Sequence, residues 1–289
     1  MSQMQNIQWY PGHMTKTRRQ IEGCLKLIDA VAEIVDARLP LSSRNPDLPK
    51  MTNSKPRLIL LNKCDIADKK ATDMWVDYFK KQGIIALPID AKNSTGMNSF
   101  VPAVRELLKE KLKKLNEKGM GNRPLRVMVC GIPNVGKSSF INKLVGNTKA
   151  KVEDRPGVTR GNQWFTVKGK IELLDTPGVL WPKFDDQQVA QKLAFTGAIK
   201  DNVLDVESLC CKLIEFLVQD YSENIISRYK LEDSIDDLQP YEILELIAKK
   251  RGMLISKGEV DYERAAIMFI DEFRAGKLGK ITLELPERC

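Results

Sequence analysis

A glycine-rich stretch in the middle of the chain carries residue types that bind phosphate groups. It matches the pattern G-x-x-x-x-G-K-[ST] at every fixed position and reads Gly131-Ile132-Pro133-Asn134-Val135-Gly136-Lys137-Ser138-Ser139. Gly131 and Gly136 permit a close phosphate approach that a Cβ atom would block. Lys137 is expected to reach the β- and γ-phosphates, and the Ser138 hydroxyl to bind Mg²⁺. The other loop residues complete a predicted phosphate cradle: Pro133, Asn134, Val135 and Ser139.

A second stretch, Asn62-Lys63-Cys64-Asp65, follows the apolar run from Leu58 to Leu61 and can distinguish guanine from adenine. The Asp65 carboxylate can accept hydrogen bonds from guanine N1–H and the 2-amino group. Adenine lacks that donor pair and would leave the charge unpaired, at a cost of several kcal/mol. Asn62 is expected to fix the loop and face the base edge, and the Lys63 stem to pack along the base. The stretch resembles the N-K-x-D motif of the GTPases.

Three further segments resemble GTPase motifs. Asp90-Ala91-Lys92 is similar to the S-A-K loop, which implies guanine contacts by Ala91 and Lys92. Asp175-Thr176-Pro177-Gly178 resembles D-x-x-G, which implies that Asp175 holds Mg²⁺ and that the Gly178 N–H senses the γ-phosphate. Residues 156–160 look like switch I, with Thr159 as a Mg²⁺ ligand. Asn134 matches an Asn with which some GTPases bind an activating K⁺.

The order of the motifs resembles that of the circularly permuted GTPases, because the base-reading motifs precede the phosphate loop. Permutation is tolerable since the termini of a compact domain often lie close together. Within that group the chain resembles the ribosome biogenesis GTPase A family along essentially its whole length, through residues 9–14 (WYPGHM), residues 36–40 (DARLP), the motifs above and the tail after Lys249. The resemblance implies a GTPase that assists late assembly of the large (50S) ribosomal subunit. It also implies binding of ribosomal RNA in the GTP state and activation by the ribosome.

The residue that places the attacking water is a separate question. Many GTPases use a Gln after the D-x-x-G glycine, but Val179 stands there and cannot form a hydrogen bond. His13, the only histidine, is the candidate by the family resemblance and because neutral imidazole can accept a proton. A structural or RNA-contacting role for His13 stays open. Arg38 is expected to be structural or RNA-facing rather than an internal arginine finger.

The elements that position these residues alternate between strands and helices. Short apolar runs predict six strands, mostly parallel, and these with helices at residues 69–81, 97–121 and after the phosphate loop predict an α/β P-loop GTPase three-layer sandwich. Residues 1–184 are expected to form the permuted GTPase domain and residues 185–289 a C-terminal all-α domain that binds the ribosome. Apolar stripes of the latter are expected to be core: Leu209, Leu213, Phe216 and Leu217; Ile243, Leu244, Ile247 and Ala248; Ala265, Ile267, Met268, Ile270 and Phe273.

Composition narrows the class of protein. The net charge is +8, with a basic surplus through residue 184 and an acidic surplus after it, which favours an RNA partner for the first part. One His and no C-x-x-C argue against a zinc domain, and six scattered cysteines fit reduced cytosolic thiols. No apolar run is long enough to span a bilayer. A cytoplasmic monomer with GTP or GDP, Mg²⁺ and K⁺ as ligands is expected.

Alternatives to this interpretation remain open. A P-loop kinase or ATPase would lack Asn62 and Asp65. An RNA-binding scaffold with a vestigial site, a GTP-regulated protein acting on another RNA, and a membrane-associated permuted GTPase are the others. No amphipathic basic anchor or lipidation site supports the last of these.

Overall fold

A computed structural model describes residues 22–52, 55–146, 163–167, 170–176, 186–199 and 205–288. Its strands are β1 (Ala30–Asp36), β2 (Arg57–Asn62), β3 (Ile85–Ile89), β4 (Leu125–Cys130), β5 (Gln163–Val167) and β6 (Ile171–Asp175). Its helices are α1 (Leu48–Met51), α2 (Lys69–Lys81), α3 (Phe100–Leu107), α4 (Lys109–Glu117), α5 (Lys137–Val145), α6 (Gln187–Phe195), α7 (Val206–Tyr229), α8 (Pro240–Lys250) and α9 (Tyr262–Arg274).

The strands form one six-stranded sheet in the order β3-β2-β1-β4-β6-β5. All neighbouring strands are parallel except β5, which pairs antiparallel with β6 at the edge. The central strands are apolar on both faces, as a parallel sheet covered by helices requires. The carboxyl ends of β1, β2, β3, β4 and β6 therefore meet along one edge of the sheet, where ligands bind in open α/β folds.

Helices cover both faces of the sheet. On one face, Phe100 of α3 and Phe140 of α5 pack edge to face with ring centroids 5.1 Å apart. On the other face, Trp75 and Phe79 of α2 are fully buried against β1 and β2. This arrangement is the three-layer α/β sandwich of the P-loop GTPases, and the prediction of fold class is confirmed.

The helices α6 to α9 form the all-α region of the chain. Asp205 and Asp261 cap the first turns of α7 and α9, and Gln239 and Glu242 form a capping box at α8. The buried residues of these helices are continuous with the core on the α3 and α5 side of the sheet. None of the helices in the described ranges is long and apolar enough to cross a membrane.

Several sequence-based boundaries were accurate, and others were wrong. The predicted spans of β4, β5 and α2 agree with the structure residue for residue. The helix expected over residues 97–121 is instead a 3₁₀ turn, α3 and α4, with a break at Leu108. Ile267, expected in the core, is exposed at 45%, and Phe269 takes the buried position on that face of α9.

Candidate nucleotide-binding site

The phosphate loop lies between the end of β4 and the start of α5, at the carboxyl edge of the sheet. Gly136 has a φ of 96°, and a Cβ atom there would collide with the Asn62 amide nitrogen. A Cβ atom at Gly131 would collide with the carbonyl oxygen of Ile34 in β1. The two glycines are therefore required by the packing of the loop as well as by phosphate approach.

Lys137 and Asp175 form the charged centre of this edge. The buried Lys137 ammonium donates to the Ile132 carbonyl at 3.3 Å, so it lies under the loop. Asp175 ends β6, in register with Val129 of β4. Burial raises the pKa of Asp175 to about 6, and the charge of Lys137 opposes that rise. Burial also lowers the pKa of Lys137, with Asp175 acting the other way.

The donor set fits a divalent cation. The Asp175 Oδ1 atom is buried without a hydrogen-bond partner, a costly arrangement that a cation ligand would relieve. The partly buried Ser138 is at the first turn of α5, on the strand next to β6. A carboxylate and a hydroxyl are the oxygen ligands that Mg²⁺ prefers.

Asn62 joins the two predicted halves of the nucleotide site. It ends β2 and is buried, with its Nδ2 donating to the Val135 carbonyl at 2.7 Å. Its Oδ1 accepts from the backbone N–H of Ala91 at 3.0 Å. One side chain therefore holds the phosphate loop and the second base-reading loop in a fixed relation. Both polar ends of the amide are used by the protein.

Lys63 and Asp36 connect the base-reading stretch to β1. Lys63 has a φ of 64°, and its ammonium lies 3.0 Å from the Asp36 Oδ2 atom. Arg38 binds the same carboxylate through both Nε and Nη2. Burial tends to raise the pKa of Asp36, but the charges of Arg38 and Lys63 outweigh it and hold this pKa well below its usual range.

Arg38 is a structural residue, as expected from the sequence. It is buried, its Nη1 donates to the Phe273 carbonyl at 3.3 Å, and its guanidinium lies over the Phe273 ring at 5.0 Å. The residue therefore ties the end of β1 to α9. Its carboxylate partner, Asp36, is the connection to Lys63.

The remaining base-reading residues lie on two adjacent loops after β2 and β3. Asp65 and Lys92 are exposed, and Ala91 is buried. Asp90 accepts from the backbone N–H groups of Lys92 and Asn93 at 2.8 and 3.0 Å, so it shapes its own loop. This explains how an Asp can stand where the S-A-K pattern has Ser.

Asn134 has a contact that the sequence did not predict. Its Nδ2 donates to the carbonyl of Gly197, just beyond the end of α6, at 2.6 Å. No local pattern signals this hydrogen bond, because the partners are far apart in the sequence. The other predicted residues of the phosphate loop, Pro133 and Ser139, lie in the loop and in the first turn of α5.

Four residues singled out from the sequence lie outside the described residues. They are His13, Thr159, Gly178 and Val179. Their predicted roles in catalysis, Mg²⁺ binding and sensing of the γ-phosphate stay predictions.

Comparison with known proteins places the chain in a family. A family model described as "50S ribosome-binding GTPase" matches residues 126–255. Ribosome biogenesis GTPase A of Bacillus cereus is 48% identical over 281 residues, covering 97% of this chain and 94% of the relative. The chain belongs to the ribosome biogenesis GTPase A family. The Thermotoga maritima member is 36% identical, covering 97% and 95% of the two chains.

Solved structures agree with this assignment. GDP-bound YlqF superposes with a TM-score of 0.65 at 31% identity, over 93% of this chain and 100% of the other. GNP-bound YlqF from T. maritima gives 0.63 at 31% identity, over 94% and 99%. As a member of the ribosome biogenesis GTPase A family, the chain is a GTP-hydrolysing enzyme, and GTPases of this kind require Mg²⁺.

Proposed function

We propose that this GTPase assists late assembly of the large (50S) ribosomal subunit, binds ribosomal RNA in the GTP state and is activated by the ribosome. The observation that carries the proposal is the near-full-length similarity to proteins named ribosome biogenesis GTPase A. The basic surplus of the first 184 residues supports it, since a basic surface attracts a polyanion such as RNA. The protein would act as a monomer in the cytoplasm, where bacterial subunits are assembled.

The proposed nucleotide contacts follow the carboxyl edge of the sheet. Asp65 reads guanine, with Ala91 and Lys92 beside it on the neighbouring loop. The phosphate loop and the Lys137 ammonium bind the phosphates. These roles are supported by the convergence of β2, β3 and β4 at one edge and by the Asn62 bridge between their loops.

Ser138, Asp175 and Thr159 would hold Mg²⁺, which offsets negative charge on the phosphates when bound. Water attacks the γ-phosphate in line with the bond to the leaving GDP, and the reaction depends on positioning and charge stabilisation. We assign the placing of this water to His13, since Val179 cannot perform it. His13→Ala should slow turnover with little change in nucleotide affinity, and unchanged turnover would contradict the assignment.

K⁺ is proposed as a second cation at Asn134. Because the Asn134 Nδ2 donates to Gly197, its Oδ1 is the amide atom left to ligate a cation. GTP turnover should therefore be faster in K⁺ than in Na⁺ at equal ionic strength. Equal turnover in the two salts would exclude this role.

The decisive experiment compares steady-state GTP hydrolysis alone, with purified large subunits and with small subunits, in K⁺ and Mg²⁺. A strong increase with large subunits only is the expected result. Equal rates in all three conditions would leave a GTPase but remove the ribosome as its activator. Competition by GTP but not ATP separates this enzyme from a P-loop ATPase.

A further inference from the structure

The carboxyl end of α6 is built so that its last carbonyl groups face other parts of the chain. Gly197 follows the helix with a φ of 74°, and its N–H donates to the Ala194 carbonyl at 3.0 Å. The Ala198 N–H reaches back to Leu193 at 2.9 Å. This left-handed ending turns the backbone sharply and directs the Gly197 carbonyl away from the helix axis.

Arg274, the last residue of α9, binds this helix end. Its Nη2 donates to the Ala194 carbonyl at 2.8 Å, and its Nε donates to the Phe195 carbonyl at 3.0 Å. A Cβ atom built on Gly197 would lie 3.4 Å from the guanidinium carbon, so the Arg274 group packs directly beside that residue. A positive charge at a helix carboxyl end is favourable, and the planar fork fixes two carbonyls at once.

The phosphate loop contacts the same helix end from the other side. Asn134 lies inside the loop with a φ of 61°, and its Nδ2 donates to the Gly197 carbonyl at 2.6 Å. The side chain is thus anchored to a carbonyl whose position depends on the α6 ending. Arg274, Gly197 and Asn134 form a continuous set of contacts from α9 to the phosphate loop.

We propose that Arg274 is a positioning residue for the phosphate loop, acting through Gly197 on the Asn134 amide. The proposal rests on the assignment of this loop to nucleotide phosphates. By holding the end of α6, Arg274 fixes the Gly197 carbonyl and so orients the amide of a loop residue held in a left-handed conformation. Docking of the α6 and α9 helices and binding of nucleotide then stabilise the same arrangement. Such coupling is reciprocal: nucleotide should tighten the helix end, and loosening the helix end should weaken nucleotide binding.

The test measures the affinity and the dissociation rate of a fluorescent GDP analogue in full-length variants. Arg274→Ala should weaken binding about fivefold, mainly through faster dissociation. Arg274→Lys keeps the charge but loses the planar fork and should lie between the two. Asn134→Gly removes the amide while tolerating the left-handed backbone, and it should weaken binding at least as much as Arg274→Ala.

Arg228→Ala is the matched control. Arg228 of α7 forms its charged pair with Glu272, two residues before Arg274, and makes no printed contact with the helix end or the phosphate loop. It should lower thermal stability as Arg274→Ala does while leaving GDP affinity unchanged. The double variant Asn134→Gly/Arg274→Ala should bind GDP no more weakly than Asn134→Gly alone, because both changes interrupt one route.

Hydrogen exchange gives a second readout. GDP should slow exchange of the amide hydrogens at residues 194–198 in the wild type and not in Asn134→Gly. Unchanged GDP affinity in Arg274→Ala, or fully additive losses in the double variant, would overturn the proposal while leaving the nucleotide site intact. Failure of the wild type to bind GDP would instead overturn the proposed nucleotide site and this inference with it.

Discussion

At the scale of single residues, Asn62 is the side chain on which the geometry of the site most depends. Its amide donates to Val135 in the phosphate loop and accepts from Ala91 in the base-reading loop, and it is buried. Truncation leaves a buried carbonyl and a buried N–H without partners, each costing about 1–3 kcal/mol. The residue therefore contributes to the shape of the site as well as to its chemistry.

Asn62→Ala should consequently lower the free energy of unfolding by about 2 kcal/mol and weaken binding of both GDP and GTP. Urea unfolding and titration with a fluorescent GDP analogue measure the two effects. Asn93→Ala, which removes only the partly buried amide contact to Asp90, is the control and should bind nucleotide as the wild type does. An Asn62→Ala protein with normal affinity would show that the bridge does not set the site.

Asp65→Asn tests the proposed reading of guanine. The amide nitrogen of Asn would donate where the carboxylate accepts, which mismatches the guanine N1–H and 2-amino donors and matches the 2-oxo group of xanthine. GDP affinity should fall by at least about 100-fold, and XDP should bind better than GDP. Asp73→Asn, an exposed change on α2, is the control. Retention of guanine preference in Asp65→Asn would remove Asp65 from base recognition.

At the scale of elements, the sequence predicted best where a single physical requirement governs a segment. The strand β4 and the helix α2 were predicted to the residue, because a buried parallel strand is continuously apolar and α2 has clear helical periodicity. The break at Leu108 could not be predicted, since residues 97–121 contain no proline or glycine at that point to end a helix.

The same limit applies to the candidate site. The phosphate loop and the Asn62 stretch were recognisable because their chemistry is local in sequence. The Asn134–Gly197 hydrogen bond, the Lys63–Asp36 ion pair and the role of Arg274 depend on how distant elements pack. A periodicity argument also placed Ile267 in the core, although tertiary packing left it exposed.

The pairing of α7 with α9 predicts a pH dependence. Glu272 of α9 accepts from Arg228 Nε at 2.9 Å and from the Tyr229 hydroxyl at 3.0 Å, and Arg251 lies 3.8 Å away. The hydrogen bond from Arg228 lowers the pKa of Glu272, against the effect of burial and with help from Tyr229 and Arg251. Because the folded pKa lies below the unfolded value, this stabilisation is present above the unfolded pKa and is lost as pH falls through the folded one.

The urea midpoint of the wild type should therefore drop below about pH 4.5, and that of Glu272→Gln should drop less steeply over the same interval. Urea titrations from about pH 6 to about pH 3 provide the measurement. Glu263→Gln, an exposed substitution on the same helix, should follow the wild-type curve. Parallel curves for wild type and Glu272→Gln would contradict the assignment.

At the scale of the whole molecule, the C-terminal tail holds the helical region on the sheet. Ile281 and Leu283 donate backbone hydrogen bonds to Ile66 and Arg38 at 3.1 and 2.9 Å. The buried Glu284 carboxylate accepts from the N–H groups of Leu41 and Ser42 and lies 3.4 Å from the Lys192 ammonium of α6. With a core continuous from the sheet to α9, these contacts favour one cooperative unfolding unit.

Tryptophan fluorescence and helical circular dichroism should therefore report the same urea midpoint. All four tryptophans precede residue 185, whereas much of the helix follows it, so the two signals sample different parts of the chain. Trp75 is a direct probe of the tail, because its indole N–H donates to the Glu284 carbonyl at 2.8 Å. Glu284→Ala leaves the Lys192 charge and two backbone N–H groups unpaired and should cost about 3 kcal/mol. If the two signals separate in the wild type, the tail does not join the regions; if they separate only in Glu284→Ala, the tail is what makes them unfold together.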